Sequence, residues 1–330
     1  MKRFFLITVC LLLLLGMTAC GKEENPTEDN NPPSGSNTPT KADHKLGMSA
    51  VVTTMMEGTD RTRVKGTVAA VVVDDRGNIV ECKLDEVDFT VSLQDGVPAP
   101  VENLTSKVEL GDRYRPTKPD LGDEEGSTEP WHEQVEEFCD YVEGKTGAQV
   151  GAIAATDGRT EQIPGCDLIV TDFITAVVEA TDNAKTMTGG REDDLELALT
   201  AYHEPNDNQQ KANYALELAA VTLNEQDRIT GCVTDQAEIR LTAEGGMFTT
   251  LSGLVKTKRQ LGDGYGMKTA SPIGKEWYQQ ADAFDAYATG KTAAALAKLD
   301  LKDGKTDAIS GCTISVNGMM KNVVKAANKE

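Results

Sequence analysis

Apolar positions along this chain fall into two regimes, and the pair of regimes occurs twice. From Val64 to Val73, Ile79 to Cys82 and Val87 to Leu93, β-branched residues run in short blocks, the first two separated by Asp74-Asp75-Arg76-Gly77-Asn78. That is the pattern of strands joined at a tight turn. Further on, Trp131, Val135, Phe138 and Val142 recur at helical spacing and stop at Gly144, where a residue free to take positive φ ends a helix. Tyr214 to Leu223, Ile229 to Val233 and Ala237 to Leu241 repeat the strand pattern. Trp277, Ala281, Phe284 and Ala288, before Gly290, repeat the helical one. A short helix is expected after each Gly-Lys-Thr (144–146 and 290–292). A last helix is expected after each Gly-Cys (165–166 and 311–312), the final one carried by Met319, Val323, Val324 and Ala327.

The recurrence extends to identical residues. At a constant offset of 146, Trp131-His132-Glu133-Gln134 faces Trp277-Tyr278-Gln279-Gln280, Phe138 faces Phe284, Asp157-Gly158 faces Asp303-Gly304, and Gly165-Cys166 faces Gly311-Cys312. Upstream, Ala69-Ala70-Val71 faces Ala219-Ala220-Val221, Cys82 faces Cys232, and Leu121-Gly122-Asp123 is aligned with Leu261-Gly262-Asp263. The chain therefore reads as α+β, two tandem copies of one module over 45–185 and 195–328, each a small antiparallel sheet with packed helices. The Gly/Asp-rich stretch from Thr186 to Asp194 is the expected joint. Gly-Lys-Thr is no nucleotide-binding loop, because it follows a helix and lacks the glycine five positions earlier. It reads as a helix stop followed by the next helix's cap.

The amino-terminal segment has a different character. Lys2 and Arg3 precede an apolar run from Phe4 to Leu15 and then Gly16-Met17-Thr18-Ala19-Cys20. The run is short for a membrane span and has the flanks of an export signal. Small residues before the cysteine resemble a bacterial lipobox, with Met17 where leucine is commoner. Residues 1–19 are then a signal peptide and Cys20 a lipidated terminus holding the protein to the outer face of the cell membrane. An ordinary secretory signal is the alternative. Residues 20–44, rich in Asn, Pro, Ser, Thr and acidic side chains, read as a disordered tether.

The formal net charge is −20, a balance that opposes binding to nucleic acid or anionic lipid headgroups. Of seven cysteines, Cys82, Cys139, Cys166, Cys232 and Cys312 lie beyond the signal and the lipid site. They form no zinc-spaced or CxxC set, and the three histidines are scattered, so no metal site is expected. Cys82 with Cys166, and Cys232 with Cys312, recur in both copies. Each pair reads either as one disulfide per module or as buried free thiols.

The stretch Asp307-Ala308-Ile309-Ser310-Gly311-Cys312-Thr313 delivers a hydroxyl to an expected helix start, where unpaired backbone N–H groups favour an anion. It resembles the flavinylation motif of exported FMN-binding domains. That family includes the flavin subunits of ion-pumping quinone and ferredoxin oxidoreductases and surface lipoproteins of extracellular electron transfer. The resemblance implies FMN joined to Thr313 through a phosphoester made by a separate flavin transferase, with Asp307, Ser310 and Gly311 as recognised motif residues. Cys312 stands where the family usually has alanine. The counterpart in copy one, Glu161-Gln162-Ile163-Pro164-Gly165-Cys166-Asp167, has Asp167 for the threonine and Pro164 for the serine. It cannot form the ester, and its carboxylate is expected to satisfy the helix start instead.

For the flavin ring, Tyr265 and Met267 in Gly262-Asp263-Gly264-Tyr265-Gly266-Met267 are candidate walls, in a loop that reads as longer in copy two. An ordinary variable loop is the alternative. Lys268 and Lys275 are possible partners of the phosphate or ring oxygens. Trp277, matched by Trp131, reads as core packing ahead of flavin stacking. The expectation is a membrane-anchored electron carrier acting between a membrane donor and an extracellular acceptor, with a flavin-dependent reductase as a variant. From another class, a non-redox surface lipoprotein binding a ligand or partner at a groove between its modules is the alternative.

Overall fold

The computed structural model describes residues 44–101, 104–122, 129–250 and 252–329. The first half runs β1 (Lys45–Met56), β2 (Arg61–Val73), β3 (Ile79–Gln94), β4 (Val97–Pro98), α1 (Lys107–Leu110), a 3-10 turn at Gly111–Arg113, α2 (Lys118–Leu121), α3 (Trp131–Val142), α4 (Gly147–Gly151), α5 (Thr171–Asp182) and β5 (Lys185–Thr186). The second half runs β6 (Asp194–Glu204), β7 (Lys211–Leu223), β8 (Ile229–Glu244), β9 (Met247–Phe248), β10 (Gly253–Val255), α6 (Lys258–Leu261), a 3-10 turn at Gly262–Tyr265, α7 (Trp277–Ala288), α8 (Ala293–Leu296) and α9 (Asn317–Ala327). Among the described residues no helix is long and apolar enough to cross a membrane. Cys20 and nearly all of the tether lie outside the described residues. His44, assigned to the tether, is buried, and its carbonyl accepts from the Met187 N–H at 3.1 Å.

The class is α+β with antiparallel sheets, and burial on both faces of the strands explains the layering. Along β2, Val64, Val68, Ala70 and Val72 turn to one core while Ala69, Val71 and Val73 turn to another; alternate side chains of a strand point to opposite faces. The first set meets Leu216, Leu218 and Ala220 of β7, so the two sheets share one core between them. The second set packs under Trp131, Phe138 and Phe173 of the first half's helices. In the second half, Ala219, Val221 and Leu223 pack likewise under Trp277, Phe284 and Val323. The layers are thus helices, sheet, sheet, helices. The sheets approach closely: a Cβ added at Gly66 would lie 2.5 Å from Leu216 Cδ1. Phe89 and Tyr214 bridge the gap with ring centroids 5.0 Å apart.

One sheet is ordered β10-β1-β2-β3-β4 with β5 also on β1, and the other β6-β7-β8-β9. The first therefore borrows a strand from the second half, with Val52 facing Val255. The helices over residues 131–142 and 277–288 have the expected buried faces. Thr146 and Thr292 cap the following helices, their side chains accepting from Gln149 N–H and Ala295 N–H.

Several expectations are corrected. β1 and β6 carry no strand pattern in the sequence reading, and β3 and β8 run unbroken through the expected gaps at 83–86 and 234–236. Of the two readings of the paired cysteines, the free-thiol one holds: all five cysteines in the described residues are free. Cys82 hydrogen-bonds with Cys139, and that contact together with burial pushes the Cys82 thiol well up. The helix ending at Leu261-Gly262 has as its structural match the one ending at Leu110-Gly111, not Leu121-Gly122. All three begin at a lysine after a capping box, but Gly111 (φ +52°, ψ −133°) and Gly262 (φ +51°, ψ −127°) share one backbone conformation and open a 3-10 turn, whereas Gly122 is left-handed. The longer segment before the tryptophan helix therefore belongs to the first half, where α2 is the additional element.

Candidate functional site

Thr313 lies on the wall of a cavity of about 930 Å³ in the second half. Residues of α6 and the following turn (Lys258, Tyr265), of the loop before α7 (Met267, Ala270, Pro272), of α7 (Trp277), of the strands (Thr200, Tyr202, Glu217, Gln236) and of α9 (Asn317, Gly318, Met319, Asn322) complete it. Thr313, Tyr265 and Met267 are therefore brought together. Asp307, Ser310, Gly311 and Cys312 are not among its lining. Asp307 and Ser310 are exposed on the outside of the loop, and Cys312 is buried in the helix-side core, where burial pushes its thiol up.

The motif loop is built from turns. Asp303 and Gly304 take φ of +52° and +76° between the bridged Lys302 and Lys305, a mirror-image hairpin turn. A Cβ at Gly304 would sit 2.3 Å from Ser315 Oγ, so only glycine lets the loop's end close over the turn. The Val316 N–H donates to Gly304 O at 2.7 Å. Gly311 takes φ of +83° and lies against Lys275, whose Nζ would be 2.7 Å from an added Cβ. Lys275 thus reaches the motif backbone, whereas Lys268 is exposed.

Thr313 itself is held by Gln280. Its N–H donates to Gln280 Oε1 at 2.8 Å and its hydroxyl to the same oxygen at 3.0 Å. Gln280 is fully buried, and its Nε2 donates to Ser271 Oγ and Lys275 O, each at 3.2 Å. Gln134 does the same in the first half, accepting the Asp167 N–H at 2.9 Å. Two expectations fail here. α9 begins at Asn317, with Val316 at its cap position, so Thr313 precedes the helix by a full turn rather than starting it. α5 likewise begins at Thr171, and Asp167 is exposed rather than capping.

The cavity's aromatic wall is charged from behind. Lys258, nearly buried, holds its Nζ 5.1 Å from the Tyr265 ring centroid and 5.3 Å from that of Trp277, and pairs with Glu238 at 2.7 Å. Tyr265 OH donates to Glu238 at 3.2 Å. The buried Glu276 carboxylate accepts the N–H groups of Met267 and Lys268 at 2.8 and 2.9 Å, fixing that loop. Trp277 is 5% exposed; it belongs to the core and lines the cavity at once.

In the first half the comparable lysine is surrounded by ion pairs. Lys107, near Tyr114 and Trp131 in the same fashion, pairs with Glu86 at 2.5 Å and with Asp120 of α2. Burial opposes that ammonium, and the two carboxylates outweigh it and hold the lysine charged.

Gln280, Lys258, Glu217 and Gln236 were not singled out from sequence. Gln280 lay inside the matched Trp-x-x-Gln block, a signal that was present. The others become neighbours only through strand pairing. Comparison of the chain with known protein families, with curated proteins and with solved structures finds no match.

Proposed function

We propose that this protein is an extracytoplasmic, membrane-anchored flavoprotein that carries electrons through one FMN, esterified to Thr313. The observation that carries the reading is that a hydroxyl in a flavinylation-like motif opens onto a 930 Å³ cavity walled by Tyr265, Met267 and Trp277. A cleft of this size, which sets aromatic and aliphatic side chains beside about as much polar surface, suits a planar heteroaromatic ring with polar edges and a phosphate-bearing tail. The donor set fits the group as well. Gln236 offers an amide at the wall, and Lys305 and Lys321 bring positive charge to a ligand bearing a phosphate.

FMN, when bound, supplies the redox chemistry; the chain positions it and sets its surroundings. Esterification removes the Thr313 hydroxyl proton, which ends its donation to Gln280. The Thr313 N–H bond to the same oxygen survives and keeps the attachment point in register. Tyr265, Met267, Trp277 and Ile314 exclude water from the ring's place. The two halves are read as copies of one module, the first having lost its attachment residue to Asp167 and set its matching lysine, Lys107, among ion pairs. One flavin per chain follows. Cys20 and the tether are read as the anchor that lets the flavin reach between a membrane donor and an outer acceptor, with attachment made by a flavin transferase.

A second reading has its own support. A groove of about 620 Å³ runs between the halves, lined by Ser49, Glu179, Arg259, Gln260 and Tyr278 among others, where a non-redox surface protein would take a ligand. Denaturing electrophoresis separates the two readings. After co-expression with a flavin transferase, the band is expected to fluoresce under ultraviolet light, and Thr313→Ala to abolish it. A dark wild-type band would favour the groove.

A further inference from the structure

Glu217 is a buried carboxylate whose direct partners are neutral. It is 6% exposed and lines the cavity from β7, opposite α9. Tyr202 OH donates to its Oε1 at 3.0 Å, and Gln236 Nε2 donates to the same oxygen at 2.5 Å. Oε2 is left as the oxygen to carry a proton.

The first half shows what the alternative looks like. The seventh residue of β2 is Thr67 where β7 has Glu217, and the eighth residue of β3 is Glu86 where β8 has Gln236. There the buried carboxylate is ion-paired to Lys107 and takes the Thr67 hydroxyl at 2.6 Å. In the second half the carboxylate has moved across to β7, and Lys258 pairs with Glu238 instead. A buried carboxylate left without an ion pair is expensive to hold ionised, and such groups cluster at functional sites.

The helix makes room for it. Gly318 is the second residue of α9, and a Cβ there would lie 2.3 Å from Glu217 Oε1 and 3.2 Å from Oε2. The second residue of α5 is Asp172, ion-paired to Lys65 at 2.5 Å. In the second half, then, both the strand residue and the helix residue are arranged around one carboxyl at the cavity wall.

We propose that Glu217 serves this cavity as a neutral acid, its protonated Oε2 donating a hydrogen bond to a ring nitrogen or carbonyl oxygen of a planar heteroaromatic ligand attached at Thr313. This rests on the flavin reading above. Burial pushes the carboxyl up to about 7, against the hydrogen bonds from Tyr202 and Gln236 and the charge of Lys258, with Glu204 adding to the rise. The charged groups around it are Glu204 on β6, Glu238 on β8, Lys258 on α6, Lys305 on the hairpin, and Lys321 and Lys325 on α9. Lys325 is engaged by Glu109 and the Leu199 carbonyl. The ionised form turns a negative charge toward the ligand's acceptor atoms, so proton loss weakens the contact and changes the ring's electronic surroundings.

The test is a pH titration of the flavin's visible absorption in the intact, flavin-loaded protein. One step with a midpoint at or above neutrality is expected, because an acceptor on the ligand favours the protonated acid. Glu217→Gln, which keeps shape and a donor, should hold one spectrum throughout. In flavin-free protein, carbon-13 spectra of the glutamate carboxyls should show one group titrating near neutrality that vanishes in the same variant. There too, folding stability should fall as pH rises from the ordinary glutamate value through the raised one, a slope the amide variant lacks. Attached flavin with a pH-independent spectrum, or the same step in Glu217→Gln, overturns the proposal and leaves the flavin reading intact. Absence of attached flavin removes that reading, and this proposal with it.

Discussion

At the scale of single residues, the site turns on an amide that the chain uses twice. Gln280 and Gln134 occupy the same place on their helices and each accepts the backbone N–H of the residue after Gly-Cys. Leaving that N–H without a partner in a half-buried loop costs about 1–3 kcal/mol. Gln280→Leu should therefore lower stability by that amount in urea denaturation and also reduce flavin attachment, because Thr313 loses its register. Gln134→Leu should cost similar stability with flavin attachment unchanged. Equal flavin loss in both variants would mean that the amide acts through global stability alone. The residue-level reading of the sequence found Thr313, Tyr265 and Met267, which the fold gathers on one cavity. It missed Glu217 because a single acidic residue in an apolar strand carries no spacing signal. Its meaning comes from Gln236 across the ladder and Gly318 on a helix far along the chain.

Among the elements, those with strong periodicity were legible and those held by their neighbours were not. The helices of Trp131 and Trp277 announce themselves through four apolar residues on one face, anchored in each by a tryptophan and a phenylalanine. β6, with the sequence Asp194-Leu-Glu-Leu-Ala-Leu-Thr-Ala, is rich in good helix formers, and β1 has Gly47 and Ser49 on either side of Met48. Both are strands because long ladders to β7 and β2 pair them, tertiary pairing overriding local propensity. Leu-Gly-Asp occurs twice in the first half, each time after a capped helix that begins at a lysine, so the counterpart of Leu261-Gly262 is told apart only by the backbone at the glycine and the 3-10 turn that follows it. The hairpin before the motif fixes the far end of the loop that carries Thr313, through Ser315 and Val316. Gly304→Ala places a side chain at positive φ against Ser315 and should cost about 1–3 kcal/mol, read as a lowered denaturation midpoint. An unchanged midpoint would show that the turn relaxes without cost.

For the molecule as a whole, the two sheets share one apolar core and one sheet takes β10 from the other half. The described fold should therefore unfold as one unit. With only Trp131 and Trp277 in the sequence, Trp277→Phe leaves a reporter in the first half and Trp131→Phe one in the second. In each variant the fluorescence transition should coincide with that of far-ultraviolet circular dichroism; separated transitions would mean independent halves. The shared core also explains why sequence reading saw two modules but not their assembly, since inward and outward faces of β2 and β7 are equally apolar. Under the flavin proposal the whole molecule carries a single covalent flavin, on Thr313. The proposal's most direct test is the intact mass of the mature soluble region co-expressed with a flavin transferase, beside Thr313→Ala. One FMN-sized increment, absent from the variant, is the predicted result. No increment, or one that persists in Thr313→Ala, would contradict it.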